Sequence, residues 1–253
     1  MSATNDQKWK RVWVIGASSG IGRALSEQWA ERGVEVIASA RSEDALDELD
    51  ATSGYISALP LDVTDKASIE AAIFKMQDQG CVPDLTLYCA ATYHPGGIDV
   101  LTVEAARQHM EVNYLGAVGV IAALHPLLKT RGSGEIAIVS SLTSYCGLPL
   151  ASLYGPTKAA LASLCETLRP EFERDGLGLR LINPGFVKTP LTEKNSFKMP
   201  FLITPEEAAQ RIIRGLEGTG FEIAFPFRMA LSLRLLRLLP YRLYFRLMRR
   251  MVA

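Results

Sequence analysis

Histidine, cysteine and net charge are all in short supply. The three histidines and four cysteines (Cys81, Cys89, Cys146 and Cys165) form no C-x-x-C pair and no metal-ligand spacing, so no metal site is expected. Cys89 and Cys165 lie in apolar runs and read as buried thiols, which favours a reducing compartment over a secreted one. Basic and acidic residues balance at 27 each, which argues against nucleic acid as a partner. The N-terminal M-S-A-T-N-D-Q-K has no apolar segment of the signal-peptide kind, and no uninterrupted run of ~18 apolar residues is present to cross a bilayer. Together these absences predict a cytoplasmic protein.

What is present suffices for one sizeable core, with 48% of the 253 residues apolar. The zero net charge hides a split. From Arg228 onward there are seven arginines and no acid, which leaves 20 basic against 27 acidic residues in 1–227, a net of −7. Residues 1–227 are expected to form a single domain and 228–253 a basic extension.

Apolar runs at 11–17, 34–40, 55–63, 85–91, 134–141, 177–183 and 221–225 read as strands. Most are followed by segments of helical period, including 66–79 and a long stretch at 102–129 with Asn113 near its middle. Such alternation predicts one α/β domain of the doubly wound, Rossmann type, a seven-stranded and mostly parallel sheet flanked by helices. Its ligand belongs at the carboxyl ends of the strands. Residues 184–203 break the pattern as a long, partly apolar loop of the kind that covers a site. Thr204-Pro205-Glu206-Glu207 is a capping box that starts a helix firmly.

Two stretches carry chemistry. At the first strand-to-helix turn, Gly16, Gly20 and Gly22 with Ser18, Ser19 and Ile21 let the backbone approach a pyrophosphate, whose charge a helix N-terminus favours. The second runs from Ser141 to Lys158. Tyr154 and Lys158, at i and i+4, share a helix face one turn apart. A phenol titrates near ~10, so it needs help from a cation such as Lys158 to exchange protons at neutral pH. Residues 142–153 contain no charged side chain and offer a substrate apolar contact together with Tyr145 and a few hydroxyls.

Gly16 to Gly22, Asn113, Ser141, Tyr154 and Lys158 together resemble the short-chain dehydrogenase/reductase family in its single-domain form, over residues 10–226. Asp62 and Pro184-Gly185 match the same pattern. The resemblance implies a nicotinamide-dependent oxidoreductase acting on a carbonyl or alcohol. By it, Tyr154 is the general acid/base, Ser141 positions the substrate oxygen, Lys158 lowers the tyrosine pKa and holds the nicotinamide ribose, and Asn113 supports a water leading to Lys158. Asp62 and Val63 are expected at the adenine, Ala90 and Ala91 along the dinucleotide, and Pro184, Gly185, Val187 and Thr189 beside the nicotinamide. The resemblance also implies homodimers or homotetramers. The chain departs from the family at Ile15, where Thr is usual, and at Tyr88-Cys89-Ala90-Ala91, where Asn-Asn-Ala-Gly is usual. One structural hydrogen bond is therefore expected to give way to packing.

After the second strand, Ser39-Ala40-Arg41 offers no acid for a ribose 2′-hydroxyl and one arginine for a 2′-phosphate. NADP(H) is the expected cofactor, with NAD(H) the alternative. The apolar loop and tail point to a lipophilic ketone or aldehyde. A non-catalytic dinucleotide-sensing regulator and a membrane-associated scaffold are the competing classes. In the tail, Pro240 divides two helical pieces. Arg242, Arg246, Arg249 and Arg250 gather on one face of the second, with Leu243, Phe245, Leu247, Met248 and Met251 on the remainder. Such a helix suits peripheral contact with a membrane through 228–251, or docking on the acidic body or on a partner subunit.

Overall fold

The computed structural model describes residues 8–250. Seven strands, β1 (Arg11–Ile15), β2 (Glu35–Ser39), β3 (Ile56–Ala58), β4 (Leu85–Tyr88), β5 (Glu135–Val139), β6 (Gly178–Pro184) and β7 (Glu222–Phe225), form one sheet in the order β3-β2-β1-β4-β5-β6-β7. Every strand pairing among the described residues is parallel, not merely most of them. Nine α-helices among the described residues connect or follow these strands: α1 (Gly20–Glu31), α2 (Glu43–Asp50), α3 (Lys66–Asp78), α4 (Val103–Met110), α5 (Gly116–Arg131), α6 (Tyr154–Arg174), α7 (Pro205–Glu217), α8 (Phe227–Arg237) and α9 (Tyr241–Arg249).

Side chains of successive strand residues point to opposite faces, and both faces of this sheet are covered, which is why the strands read as continuous apolar runs. Val12 and Val14 face Trp29 of α1, Leu46 of α2 and Ile212 of α7. Trp13 and Ile15 face the other layer, with Ile69 of α3, Leu124 of α5 and Leu161 of α6. α7 begins with the expected box: Thr204 Oγ1 accepts the Glu207 N–H, and Glu207 accepts the Thr204 N–H.

Two predicted elements differ in form. β3 was expected over 55–63 and spans three residues. Leu59 and Leu61 still donate to Ala38 on β2 and to Ala40 just past its end, at 2.9 and 3.0 Å. Pro60 between them has no N–H to add, so the segment follows the sheet edge without a regular ladder. The helix expected over 102–129 is interrupted by a π turn at Glu111–Leu115. By length and composition the run Val103–Arg131 could cross a membrane. Its Val120, Leu124 and Leu128 are committed to the protein core, so it is a core helix.

The tail forms the two predicted helices, and its inner face docks on the body. Ala230, Leu233, Tyr244 and Met248 bury against Leu142 and Cys146, and the Tyr244 hydroxyl donates to the Gly147 carbonyl. Met251 lies outside the described residues.

Candidate active site

The strand order reverses between β1 and β4, so the loops after these strands part and leave a crevice at their carboxyl ends. The turn after β1 lies in that crevice. Gly16 and Ala17 both donate to the Ser39 carbonyl, at 2.7 and 3.0 Å, which ties the turn to the end of β2. Gly16 has φ +93°, and a Cβ there would lie 2.6 Å from the Ala90 nitrogen. A Cβ on Gly22 would lie 2.1 Å from the Gly16 carbonyl oxygen, so the turn closes only with glycine at both places.

The resulting groove is lined by Gly16, Ser18, Ser19, Gly20, Ile21, Gly22, Arg41, Asp62, Val63, Ala90, Ala91 and Thr189, all expected at the dinucleotide. A second chamber, lined by Ser141, Tyr154, Lys158, Pro184, Gly185, Val187 and Thr189, shares Ala91 and Thr189 with this groove. The set fits a dinucleotide: glycines bare the backbone at a helix N-terminus, and Arg41 stands where β2 ends. Ser39 is not available to such a ligand, because its hydroxyl accepts Trp13 Nε1–H at 2.8 Å inside the core. The Asp62 carboxyl is held below its ordinary range, first by the Thr64 N–H and hydroxyl, with the Arg41 charge assisting. Thr64 uses its Oδ1.

Ser141 lies two residues past the end of β5, and Tyr154 is the first residue of α6, with Lys158 one turn further. Lys158 is 1% exposed and donates from Nζ to the Val139 carbonyl at 2.9 Å. Burial lowers its ammonium to about 8. Its Nζ stands 5.3 Å from the Tyr154 ring centroid. Burial holds the Tyr154 phenol above its ordinary value, with Tyr93 adding to the effect and a hydrogen bond with Ser141 opposing it. Desolvation thus sets the direction of the Tyr154 shift, opposite to the lowering expected from Lys158.

The Asn113 side chain is fully buried and is not among the residues lining either chamber. Its Oδ1 accepts the Thr92 N–H at 2.7 Å, and its Nδ2 donates to the Thr92 carbonyl and to Thr157 Oγ1, each at 3.0 Å. With its amide committed in this way, the side chain clamps the loop after β4 to α6, between Tyr154 and Lys158.

The family departures at Ile15 and Tyr88 are adjacent, paired across β1 and β4. The expected replacement of a hydrogen bond by packing is half right. Ile15 packs in the core, while the Tyr88 hydroxyl donates to the Val112 carbonyl in the π turn. Room for that hydroxyl comes from Gly116, where a Cβ would lie 2.3 Å from Tyr88 Oη. Cys165 is buried as expected, but Cys89 is not sealed and lines both chambers, with burial pushing its thiol up to about 12.

Beyond Ser141 and Tyr154 lies a cavity of about 130 Å³. Its wall is Leu142, Leu148, Pro149, Leu150, Ala151, Phe186, Leu191, Phe197 and Met229, with Tyr93, Thr143, Thr192 and Asn195 as its other polar members and no charged residue. Tyr93 stacks edge-on against Tyr154 at 5.0 Å and donates to Asn195 Oδ1 at 2.6 Å. Neither was singled out in the sequence. Tyr93 could have been found from its place just past the end of β4, where this fold puts its ligand. Asn195 lies in a loop whose path no local pattern specifies. The loop is ordered by pairing of Val187 with Ile203.

Tyr145, expected to meet the substrate, turns away from this cavity. Its hydroxyl donates to Glu222 on β7, and Arg234 of α8 both pairs with Glu222 and lies over the Tyr145 ring. Glu222 also accepts from Asn183 Nδ2 at 2.6 Å, and Asn183 Oδ1 accepts the Ser141 N–H at 3.1 Å. The tail is thus wired to Ser141 through two side chains.

The family described as short chain dehydrogenase matches residues 10–199. An uncharacterised oxidoreductase of Myxococcus xanthus is 31% identical over 243 residues, covering 94% of this chain and 96% of the relative. An 11-beta-hydroxysteroid dehydrogenase A of Sesamum indicum is 31% identical over 201 residues, 75% of this chain and 56% of the relative. A short chain dehydrogenase from Burkholderia cenocepacia, solved in complex with NADP, superposes with a TM-score of 0.82 at 26% identity, over 94% of this chain and 96% of that one. The chain belongs to the short-chain dehydrogenase/reductase family. It is an NAD(P)-dependent short-chain oxidoreductase.

Proposed function

We propose that the protein reduces an uncharged, lipophilic ketone or aldehyde with NADPH. The observation that carries this reading is the uncharged, largely apolar cavity wall that meets Ser141 and Tyr154. A charged metabolite would leave its hydration there without a partner. The steroid in the name of the Sesamum indicum relative and the NADP held by the Burkholderia cenocepacia structure are in keeping with it. NADPH over NADH is supported by Arg41 at the end of β2 and by the lack of an acidic residue in 39–41.

When bound, the dinucleotide supplies a hydride to the carbonyl carbon. Ser141 donates a hydrogen bond to the carbonyl oxygen as negative charge gathers there. The raised phenol of Tyr154 keeps its proton at neutral pH and passes it to that oxygen. The Lys158 ammonium, largely charged at neutral pH with its value near 8, then offsets the phenolate left behind. Asn113 holds the Tyr154 to Lys158 turn of α6 in register through Thr157.

The test is NADPH oxidation with a panel of apolar and charged carbonyls, for wild type and Tyr154→Phe. Turnover of apolar members that is lost in the variant is the expected result. Turnover surviving the substitution would overturn the mechanism. Tight NADPH binding without any turnover would favour a dinucleotide-sensing regulator.

A further inference from the structure

We propose that the outer face of α8 and α9 is a docking surface for a phospholipid bilayer bearing anionic headgroups. The inner face is already used, since Ala230, Leu233, Tyr244 and Met248 are buried against the body. The two helices are therefore held in place without their outer residues. On α8, Phe227, Leu231, Leu235 and Leu238 follow one another at helical spacing, with Phe227 71% and Leu238 79% exposed. On α9, Leu243, Phe245 and Leu247 are exposed as well, Phe245 at 54%. Interleaved with them are exposed Arg228, Arg242, Arg246, Arg249 and Arg250, and no acidic residue follows Glu222 in the chain. Apolar and aromatic side chains interspersed with arginines match the boundary between acyl chains and anionic headgroups.

Charge selects this occupant over a second copy of the chain. Two such faces brought together about a twofold axis would set arginines against arginines with no acid between them. The acidic remainder of the chain, at −7 over residues 1–227, is repelled by an anionic surface and so directs the tail toward it. The attachment would also place a substrate source beside the site. Met229 of α8 lines the substrate cavity, so a carbonyl dissolved in the bilayer enters next to the docked helix. That last step rests on the reductase reading, whereas the docking does not.

The experiment is flotation of the full-length protein with vesicles of phosphatidylcholine alone and of phosphatidylcholine with phosphatidylserine. Binding is expected to the anionic vesicles and to fall with salt. Leu238→Ser with Phe245→Ser should weaken it at least about tenfold, from the apolar area lost. Arg242→Gln and Arg246→Gln should each weaken it about fivefold, at roughly 1 kcal/mol per surface arginine. All four positions are exposed, and turnover of a water-soluble carbonyl should stay at the wild-type rate, which shows that the variants fold. Absence of binding to the anionic vesicles, or binding that these variants leave unchanged, overturns the proposal. So does a dimer seen by light scattering that Leu238→Ser and Phe245→Ser dissociate without any lipid binding, a result that assigns the face to a second copy.

Discussion

The Asn183 side chain holds the backbone of Ser141, its Oδ1 accepting the Ser141 N–H at 3.1 Å. The other end of the same amide donates to Glu222 at 2.6 Å, and Glu222 pairs with Arg234 of the tail. Asn183→Ala leaves Ser141 without this tether and Glu222 without one donor. It is expected to lower kcat about tenfold, since small misplacements of a reacting group are costly, while NADPH affinity is unchanged. Steady-state kinetics beside a fluorescence titration of NADPH separates the two. A variant with equal losses in both would show a general loosening of the fold instead.

Arg41 lines the groove just past the end of β2, and on the NADPH reading it meets the 2′-phosphate. Arg41→Ala should raise KM for NADPH about 10- to 100-fold, the worth of a charge-assisted hydrogen bond, and leave KM for NADH nearly unmoved. Initial rates with both dinucleotides measure the ratio directly. Equal changes for both would move the preference elsewhere in the groove.

Lys158 makes the fold less stable for the sake of the site. Burial takes its ammonium from 10.5 to about 8, so between these values the unfolded chain binds the proton more tightly than the native one. Native stability of the wild type therefore rises with pH across that window. The full rise relative to Lys158→Met is about 3 kcal/mol at 1.36 kcal/mol per pH unit. Denaturant unfolding of both proteins over the window tests it. A gap between the two curves that is constant with pH would mean the lysine is not desolvated.

Tyr88 and Gly116 should couple. Tyr88→Phe removes the donor to the part-buried Val112 carbonyl at a cost of about 1–3 kcal/mol. Gly116→Ala drives a Cβ into Tyr88 Oη and destabilises on its own. Combining the two relieves that collision, so the double variant should be about 1 kcal/mol more stable than the sum of the single losses. Additive losses in a double-mutant cycle by urea unfolding would refute the coupling.

The alternation of apolar runs and helical periods was enough to read the doubly wound sheet, because each buried strand and each helix announces itself locally. The groove was legible for the same reason. Gly16, Gly20 and Gly22 are needed by a turn seven residues long, and Tyr154 and Lys158 by one turn of helix. What lay beyond reach depended on partners far along the chain. Asn113 is spoken for by Thr92 and Thr157, so its amide is a clamp and not part of the groove wall. Tyr145 sits among residues that do line the cavity, yet Glu222, 77 positions later, draws it away. The π turn and the foreshortened β3 are small changes of hydrogen-bond pattern that side-chain periodicity does not report. The tail showed its amphipathic character in the sequence, but which face would be buried was decided by Leu142 and Cys146 of the body.

The bond between Tyr244 and Gly147 has a practical meaning for anyone handling this protein. Gly147 lies within the segment that joins Ser141 to Tyr154, so α9 braces the catalytic loop from outside. An affinity tag or fusion partner joined directly after α9 would follow closely on Met248, a side chain buried in that brace. Expression vectors that add their tag at the other end, and domain boundaries drawn to include α9, keep the brace intact. Trimming the chain to the stretch that matches its family would discard it together with β7.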